Sequence, residues 1–141
     1  MTRLRLDLGD RDDGVVETAI RRALHDFNVE TTGLRDGRML VGSLRDESGR
    51  LVGGLYGWTW GATAFIDLLW VDAALRDQGI GSRLLDAAES EARLRGCHQV
   101  VLDTHGFQAP GFYLARGYIE HGRVDGYPVG SYQLHLAKPL T

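Results

Sequence analysis

The chain reads as an α/β domain built on one mixed sheet, in the order β-α-β-β-β-α-β-α-β-β. Three observations lead there. Stretches of period-two apolar alternation are interleaved with two longer stretches of helical period. In mid-chain a strand, a helix and a fully apolar strand succeed one another, an order that implies a crossover and a parallel pair. The length of 141 residues, 43% apolar and 25% charged, suits a single domain over residues 1–141 with one buried core.

Taking the elements in turn, Leu4, Leu6 and Leu8 alternate with Arg3, Arg5 and Asp7, which predicts a half-buried first strand. Gly9-Asp10-Arg11-Asp12-Asp13-Gly14 breaks it, and an aspartate there is placed to cap a helix. Val16, Ala19, Ile20, Ala23, Leu24 and Phe27 recur at helical spacing, predicting a helix of about four turns through Asn28 that Thr31-Thr32-Gly33 ends. From Met39 the period becomes two. Strands over 39–44, 51–60 and 64–71, separated by Asp46-Glu47-Ser48-Gly49 and Gly61-Ala62-Thr63, form an antiparallel meander. Gly53, Gly54 and Gly57 weaken its middle strand unless something, a substrate included, packs against the bare backbone.

Ile80, Leu84, Leu85, Ala88 and Ala92 share one face of a helix from about Gly79 to Arg95, and Gly96 is placed to cap its C-terminus. Val100-Val101-Leu102 is a buried strand. Pro110 opens a short second helix packed by Phe112 and Leu114 and closed by Gly117. Residues 118–124 and 131–138 pair as a hairpin across Asp125-Gly126-Tyr127-Pro128-Val129-Gly130. The whole places helices on both faces of a twisted sheet.

Charge narrows the function. Sixteen Lys and Arg against nineteen Asp and Glu leave a formal charge of −3, which gives a nucleic-acid or anionic-membrane partner little electrostatic support. Cys97 has no partner in the chain, so no disulfide framework exists; the residue reads as a small half-buried one after a helix, in a reducing compartment. No apolar stretch is long enough to span a bilayer, and Met1-Thr-Arg-Leu-Arg lacks the apolar core of a signal peptide, so a cytoplasmic location is expected. Histidines at 25, 98, 105, 121 and 135 show no metal-ligand spacing, and no metal is expected.

The most informative stretch runs from Val71 to Leu84. Gly79 and Gly81, at the mouth of a helix, let successive backbone N–H groups converge without obstruction, and the helix dipole adds positive potential there. Arg76, Arg83 and the Ser82 hydroxyl add donors. A diphosphate suits such a site, although Gly-x-Gly alone is equally compatible with a helix start that binds nothing. A dinucleotide fingerprint wants a small residue where Leu84 stands, and a nucleoside-triphosphate loop wants Gly-Lys-Ser/Thr, whereas the only lysine is Lys138.

Arg76-x-x-Gly79-x-Gly81, preceded by an apolar strand ending at Val71, resembles the pyrophosphate loop of the GNAT superfamily of acyl-CoA-dependent N-acyltransferases. Ala109-x-x-Phe112-Tyr113-x-x-x-Gly117-Tyr118 is similar to a second motif of that family, in the right order and separation. The resemblance covers nearly the whole chain. It implies two central parallel strands that splay to admit the pantetheine arm of acetyl-CoA, with the pyrophosphate held by backbone N–H groups of Gln78, Gly79, Ile80, Gly81 and Ser82 beside Arg76. It further implies that Leu69, Trp70 and Val71 offer backbone groups to the pantetheine amides, and that Tyr113 protonates the leaving thiolate. Gly106 stands where many members carry an Asn that contacts the coenzyme, seven residues before the tyrosine, so that contact is either missing or replaced by Gln108. Homodimers are also suggested by the resemblance.

On the acceptor side, Asp67 lies inside the apolar run Phe65-Ile66-Asp67-Leu68-Leu69, at the place of a glutamate base in many members. Burial beside the groove would raise its pKa; the alternative is a residue facing solvent or tied to an arginine. His105, Glu120, Tyr127 and a water relay are the other candidate proton acceptors. Tyr56, Trp58, Trp60, Phe65 and Trp70 line an acceptor pocket or pack in the core, and strand alternation puts at least half in the core. The expected function is acetyl transfer from acetyl-CoA to a primary amine of a small molecule, or of a peptide or protein, by direct attack. The alternative is an acyl-CoA-binding sensor of the same fold without turnover.

Overall fold

The computed structural model describes residues 2–140. The described residues form two compact units, one ending at Arg35 and the other beginning at Asp36. The first holds α1 (Val15–Thr32). Asp13 Oδ1 accepts from the Val15 N–H, and the Asp12 carboxylate accepts from those of Val16 and Glu17, so the aspartates cap the helix as expected. Gly33, at φ +73, ends it with its N–H on the Val29 carbonyl.

The expected first strand is absent. Residues 3–9 form no regular element, and Leu4, Leu6 and Leu8 lie exposed. Alternation makes a segment able to be a strand, but a strand also needs a neighbour's backbone groups, and no ladder includes this segment.

The second unit is one sheet with two helices. It comprises β1 (Arg38–Arg45), β2 (Leu51–Trp60), β3 (Thr63–Val71), a 3₁₀ turn (Ala73–Leu75), α2 (Ile80–Leu94), β4 (Gln99–His105), α3 (Pro110–Leu114), β5 (Ile119–Asp125) and β6 (Tyr132–Pro139). The six strands lie in the order β1-β2-β3-β4-β6-β5. β1, β2 and β3 are the predicted meander. The crossover through α2 sets β4 parallel to β3, and the β5–β6 hairpin folds back so that β6 pairs with β4 and β5 takes the edge. No described helix is long and apolar enough to cross a membrane.

The core lies between α2 and one face of this sheet. Leu85, Ala88 and Ala92 meet Leu40, Leu55, Ala64, Ile66, Val100, Leu102, Leu134 and Leu136. Leu85, Leu102 and Leu136 are fully buried, and truncating any one to alanine should cost about 2–5 kcal/mol. By alternation, Asp103 of β4 and His135 of β6 lie on the opposite face. The β2 glycines turn out to be packing residues. Ile80 and Leu84 of α2 would sit 3.6 Å from a Cβ at Gly53, and a Cβ at Gly57 would fall on the Phe65 carbonyl oxygen at a bulge. Helix and neighbouring strand, not a substrate, occupy that bare backbone.

At its C-terminal end α2 is closed. Gly96, at φ +81, donates to the Arg93 carbonyl and Cys97 to that of Ala92. Arg95 donates to the Met39 carbonyl at 2.8 Å and to the buried Thr59 hydroxyl at 3.1 Å. Cys97 is fully buried, not half-buried, and burial pushes its thiol up, which keeps it an unreactive packing group.

Candidate active site

β3 and β4 pair over only four positions, from Thr63↔Gln99 to Ile66↔Leu102. Beyond these, β3 stays paired with β2 through Leu68↔Tyr56, Leu69↔Leu55, Trp70↔Gly54 and Val71↔Gly53, and β4 stays paired with β6. The facing edges of β3 and β4 therefore carry peptide groups with no strand partner. In a sheet interior such groups call for another partner. A cavity of about 970 Å³ lies in the gap, bounded by residues 66–71, 102–104, the loop before α2, 107–109, Phe112 and Tyr113.

The loop is held from both sides. Asp72 Oδ1 accepts from the Ala74 N–H at 3.0 Å and Oδ2 from Arg50 at 3.1 Å. Those bonds, the Ala74 N–H foremost, hold its carboxyl below the usual range. Arg76 Nε donates to the Val71 carbonyl at 3.3 Å, tying loop to strand. Gly79 sits at φ +75, where a side chain would be strained although the space is open. Gly81 lies close to Phe112, 3.5 Å from where a Cβ would be. The first intrahelical acceptor is the Gly79 carbonyl, which takes the Arg83 N–H, so the N–H groups of Ile80, Gly81 and Ser82 have no partner within the helix. They stand beside the cavity, which Gly79, Ile80, Gly81 and Ser82 all line.

Tyr113 lines the same cavity from α3. Its ring packs edge-on against Phe112 and Tyr118, 5.1 and 5.7 Å away between centroids, and burial raises its phenol pKa. Tyr118 is fixed in turn. Its hydroxyl donates to the buried Glu89 at 3.2 Å, Glu89 also accepts from Lys138 at 2.6 Å, and burial next to that carboxylate pushes the Tyr118 phenol far up. Tyr113 is thus a protonated phenol at the groove, its ring braced by Phe112 and by a Tyr118 that Glu89 anchors.

Most of the sequence-predicted groove residues come together. Asp67, Leu69, Trp70, Val71, Arg76 and Gln108 line the cavity with Tyr113 and the loop glycines. Gln78 does not; its side-chain amide donates to the Ala74 carbonyl. Arg83 points to solvent. Asp67 is exposed, contrary to the expected burial, because it is the extra residue of a bulge: Tyr56 pairs with Leu68 and Gly57 with Ile66, skipping it. His105, Glu120 and Tyr127 are not among the lining residues. His105 stacks on Phe107 and Tyr127 at 5.1 and 5.3 Å, and its Nδ1 is buried without a hydrogen-bond partner.

Gly106 has a packing reason to be glycine. A Cβ there would come within 2.7 Å of the Tyr132 ring, and that ring is covered by Arg123 at 3.8 Å. Gln108 Oε1 accepts from the His105 N–H at 3.0 Å, so its oxygen braces the loop while the residue lines the groove. The aromatic residues also differ from expectation. Tyr56, Trp58 and Trp60 share one parity on β2, so all three leave the core together, and Trp70 is exposed as well. Trp58 stacks on Phe65 across the β2–β3 ladder at 4.7 Å. The sheet face away from α2 thus carries an aromatic strip together with Asp103 and His135, a hydrogen-bonded pair that sequence reasoning missed.

Residues 10–118 match the sequence model of the Acetyltransferase (GNAT) family. The chain is 45% identical over 98 residues to the blasticidin-S acetyltransferase of Streptomyces morookaense, covering 67% of this chain and 70% of that one. It is 37% identical over 117 residues to an acetyltransferase of Agrobacterium fabrum, covering 83% and 85%. The crystal structure of an acetyltransferase from Bacillus cereus superposes with a TM-score of 0.81 at 31% identity, covering 97% of this chain and 98% of that one.

Proposed function

The chain belongs to the acetyltransferase (GNAT) family, and on that premise we propose that it transfers the acetyl group of acetyl-CoA to the primary amine of a small, positively charged molecule by direct attack. The observation that carries this reading is the meeting of three features at one cavity: unpaired strand edges, unpaired helix N–H groups and a protonated tyrosine. N–H groups of Ile80, Gly81 and Ser82 suit the pyrophosphate, with Arg76 alongside. The open edges at Leu69–Val71 suit the amides of an extended arm, and a free strand N–H polarises the thioester carbonyl. Tyr113 holds the proton that the departing sulfur needs.

The acceptor side supports a cation. Asp67, exposed at the fork, is suited to attract an ammonium group rather than to act as a desolvated base. Exposed aromatic rings on β2 and β3 offer faces for its apolar or cationic parts. The relative named for blasticidin S supports a small-molecule acceptor over a protein one. The family match runs through both compact units, which supports their serving one activity as a single domain.

The test is release of free thiol from acetyl-CoA with a panel of primary amines. Amine-dependent release is expected. Tight acetyl-CoA binding with no release from any amine would overturn transfer and leave a sensor.

A further inference from the structure

Asp103 and His135 are direct partners in the β4–β6 ladder, and His135 Nδ1 is hydrogen-bonded to Asp103 Oδ1. The imidazole rests on the bare backbone of Gly122 in β5, where an added Cβ would come within 3.2 Å of ring carbon Cδ2. Three adjacent strands therefore fix the pair. Asp103 is also the first residue of β4 past the last β3–β4 partners, Ile66↔Leu102; Asp67 holds the same place on β3. Both residues line the cavity. The fork of the sheet thus presents two carboxylates, one of them backed by an imidazole.

Direct attack needs a neutral amine, and the cation that two carboxylates would attract arrives protonated. A carboxylate alone binds an ammonium and leaves the proton on nitrogen. An imidazole takes up and releases a proton near neutral pH. With Asp103 ionised, Nδ1 is the donor in their hydrogen bond, which leaves the Nε2 lone pair for the incoming proton and lets the carboxylate stabilise the imidazolium that forms. The His135 side chain is 44% exposed, which leaves the imidazole open to exchange protons with solvent.

We infer that Asp67 and Asp103 bind the acceptor ammonium at the fork and that the Asp103–His135 pair accepts its proton. This rests on the acetyl-transfer reading above. The ammonium gives one proton to the pair, and the freed lone pair forms the N–C bond while the C–S bond breaks with its electrons left on sulfur. Tyr113 gives its proton to that sulfur and is restored by the second proton leaving nitrogen. The pair returns its own proton to solvent. Asp103 touches the substrate; His135 positions that carboxylate through its Nδ1–H and holds the proton at Nε2, which solvent delivers.

The experiment compares wild type with Asp103→Asn, His135→Gln and the double variant, using whichever amine releases thiol from acetyl-CoA fastest. Each single variant should lower kcat by roughly a hundredfold or more and leave KM for acetyl-CoA unchanged. The double variant should fall no further, since the two act as a unit. Gly122→Val, which displaces the ring but keeps every titrating group, should lower kcat by a smaller factor. A pair with only a structural role would lower the melting temperature and spare kcat. Full kcat in the folded single variants, with wild type active, overturns the inference alone; a wild type inactive with every amine overturns the transfer reading and the inference together.

Discussion

The layer made by β3, β4 and α2 has two ends built on opposite rules. At one end the strands are paired, from Thr63↔Gln99 to Ile66↔Leu102, and the helix C-terminus is shut by Gly96 and Arg95. At the other the strands part, the helix N-terminus offers unpaired N–H groups, and a cavity of about 970 Å³ opens between them. The same three elements meet the full demand of backbone hydrogen bonding at one end and leave it unmet at the other. Unpaired peptide groups in a sheet interior are tolerated where a ligand completes them, and this asymmetry supports the proposed placement of the coenzyme at the open end.

Changes at the open end should alter chemistry or binding, and changes at the closed end should alter only stability. The largest effect is expected from Tyr113→Phe, which removes the proposed proton donor: kcat should fall by roughly a hundredfold or more while acetyl-CoA affinity holds, measured by steady-state kinetics and calorimetry. Because burial raises the Tyr113 phenol, wild type should also keep its activity up to the ordinary tyrosine range of about pH 10. Next comes Gly79→Ala, which forces a side chain to φ +75. A penalty of about 1–2 kcal/mol in the loop proposed to hold the pyrophosphate should weaken acetyl-CoA binding roughly tenfold.

The matching change at the closed end is Gly96→Ala, at φ +81. It should cost about 1 kcal/mol and lower the melting temperature by a few degrees with no change in acetyl-CoA affinity. Loss of affinity there would break the division between the ends. The smallest effect concerns Asp72, whose carboxyl is held low chiefly by the Ala74 N–H and secondarily by Arg50. A depressed carboxyl lends stability that is whole above its unfolded value near 4 and is lost as pH falls through the folded one. Asp72→Asn should therefore melt below wild type at neutral pH, and the difference should shrink as pH falls below the ordinary carboxylate range.

The features legible in the sequence were the local ones. Gly79, Gly81 and Gly96 announce a helix start and a helix end because their geometry is set within a few residues. Val100-Val101-Leu102 after a helix announces a buried parallel strand for the same reason. The features that escaped depend on partners distant in the chain. Leu4, Leu6 and Leu8 alternate but have no ladder to join. Asp67 sits in an apolar run and yet is exposed, because the bulge that releases it is set by β2 across the ladder. Asp103 and His135, 32 residues apart, meet only through the β4–β6 register. Gly106 is kept small by Tyr132, which the hairpin returns to it.

Amide hydrogen exchange, measured with and without saturating acetyl-CoA, probes the contrast between the two ends most directly. Exchange should slow at Leu69, Trp70 and Val71 and at residues 79–82, and stay unchanged at residues 95–101. Equal exchange at the open end in both states, or protection confined to the closed end, would contradict the placement of the coenzyme between the parted strands.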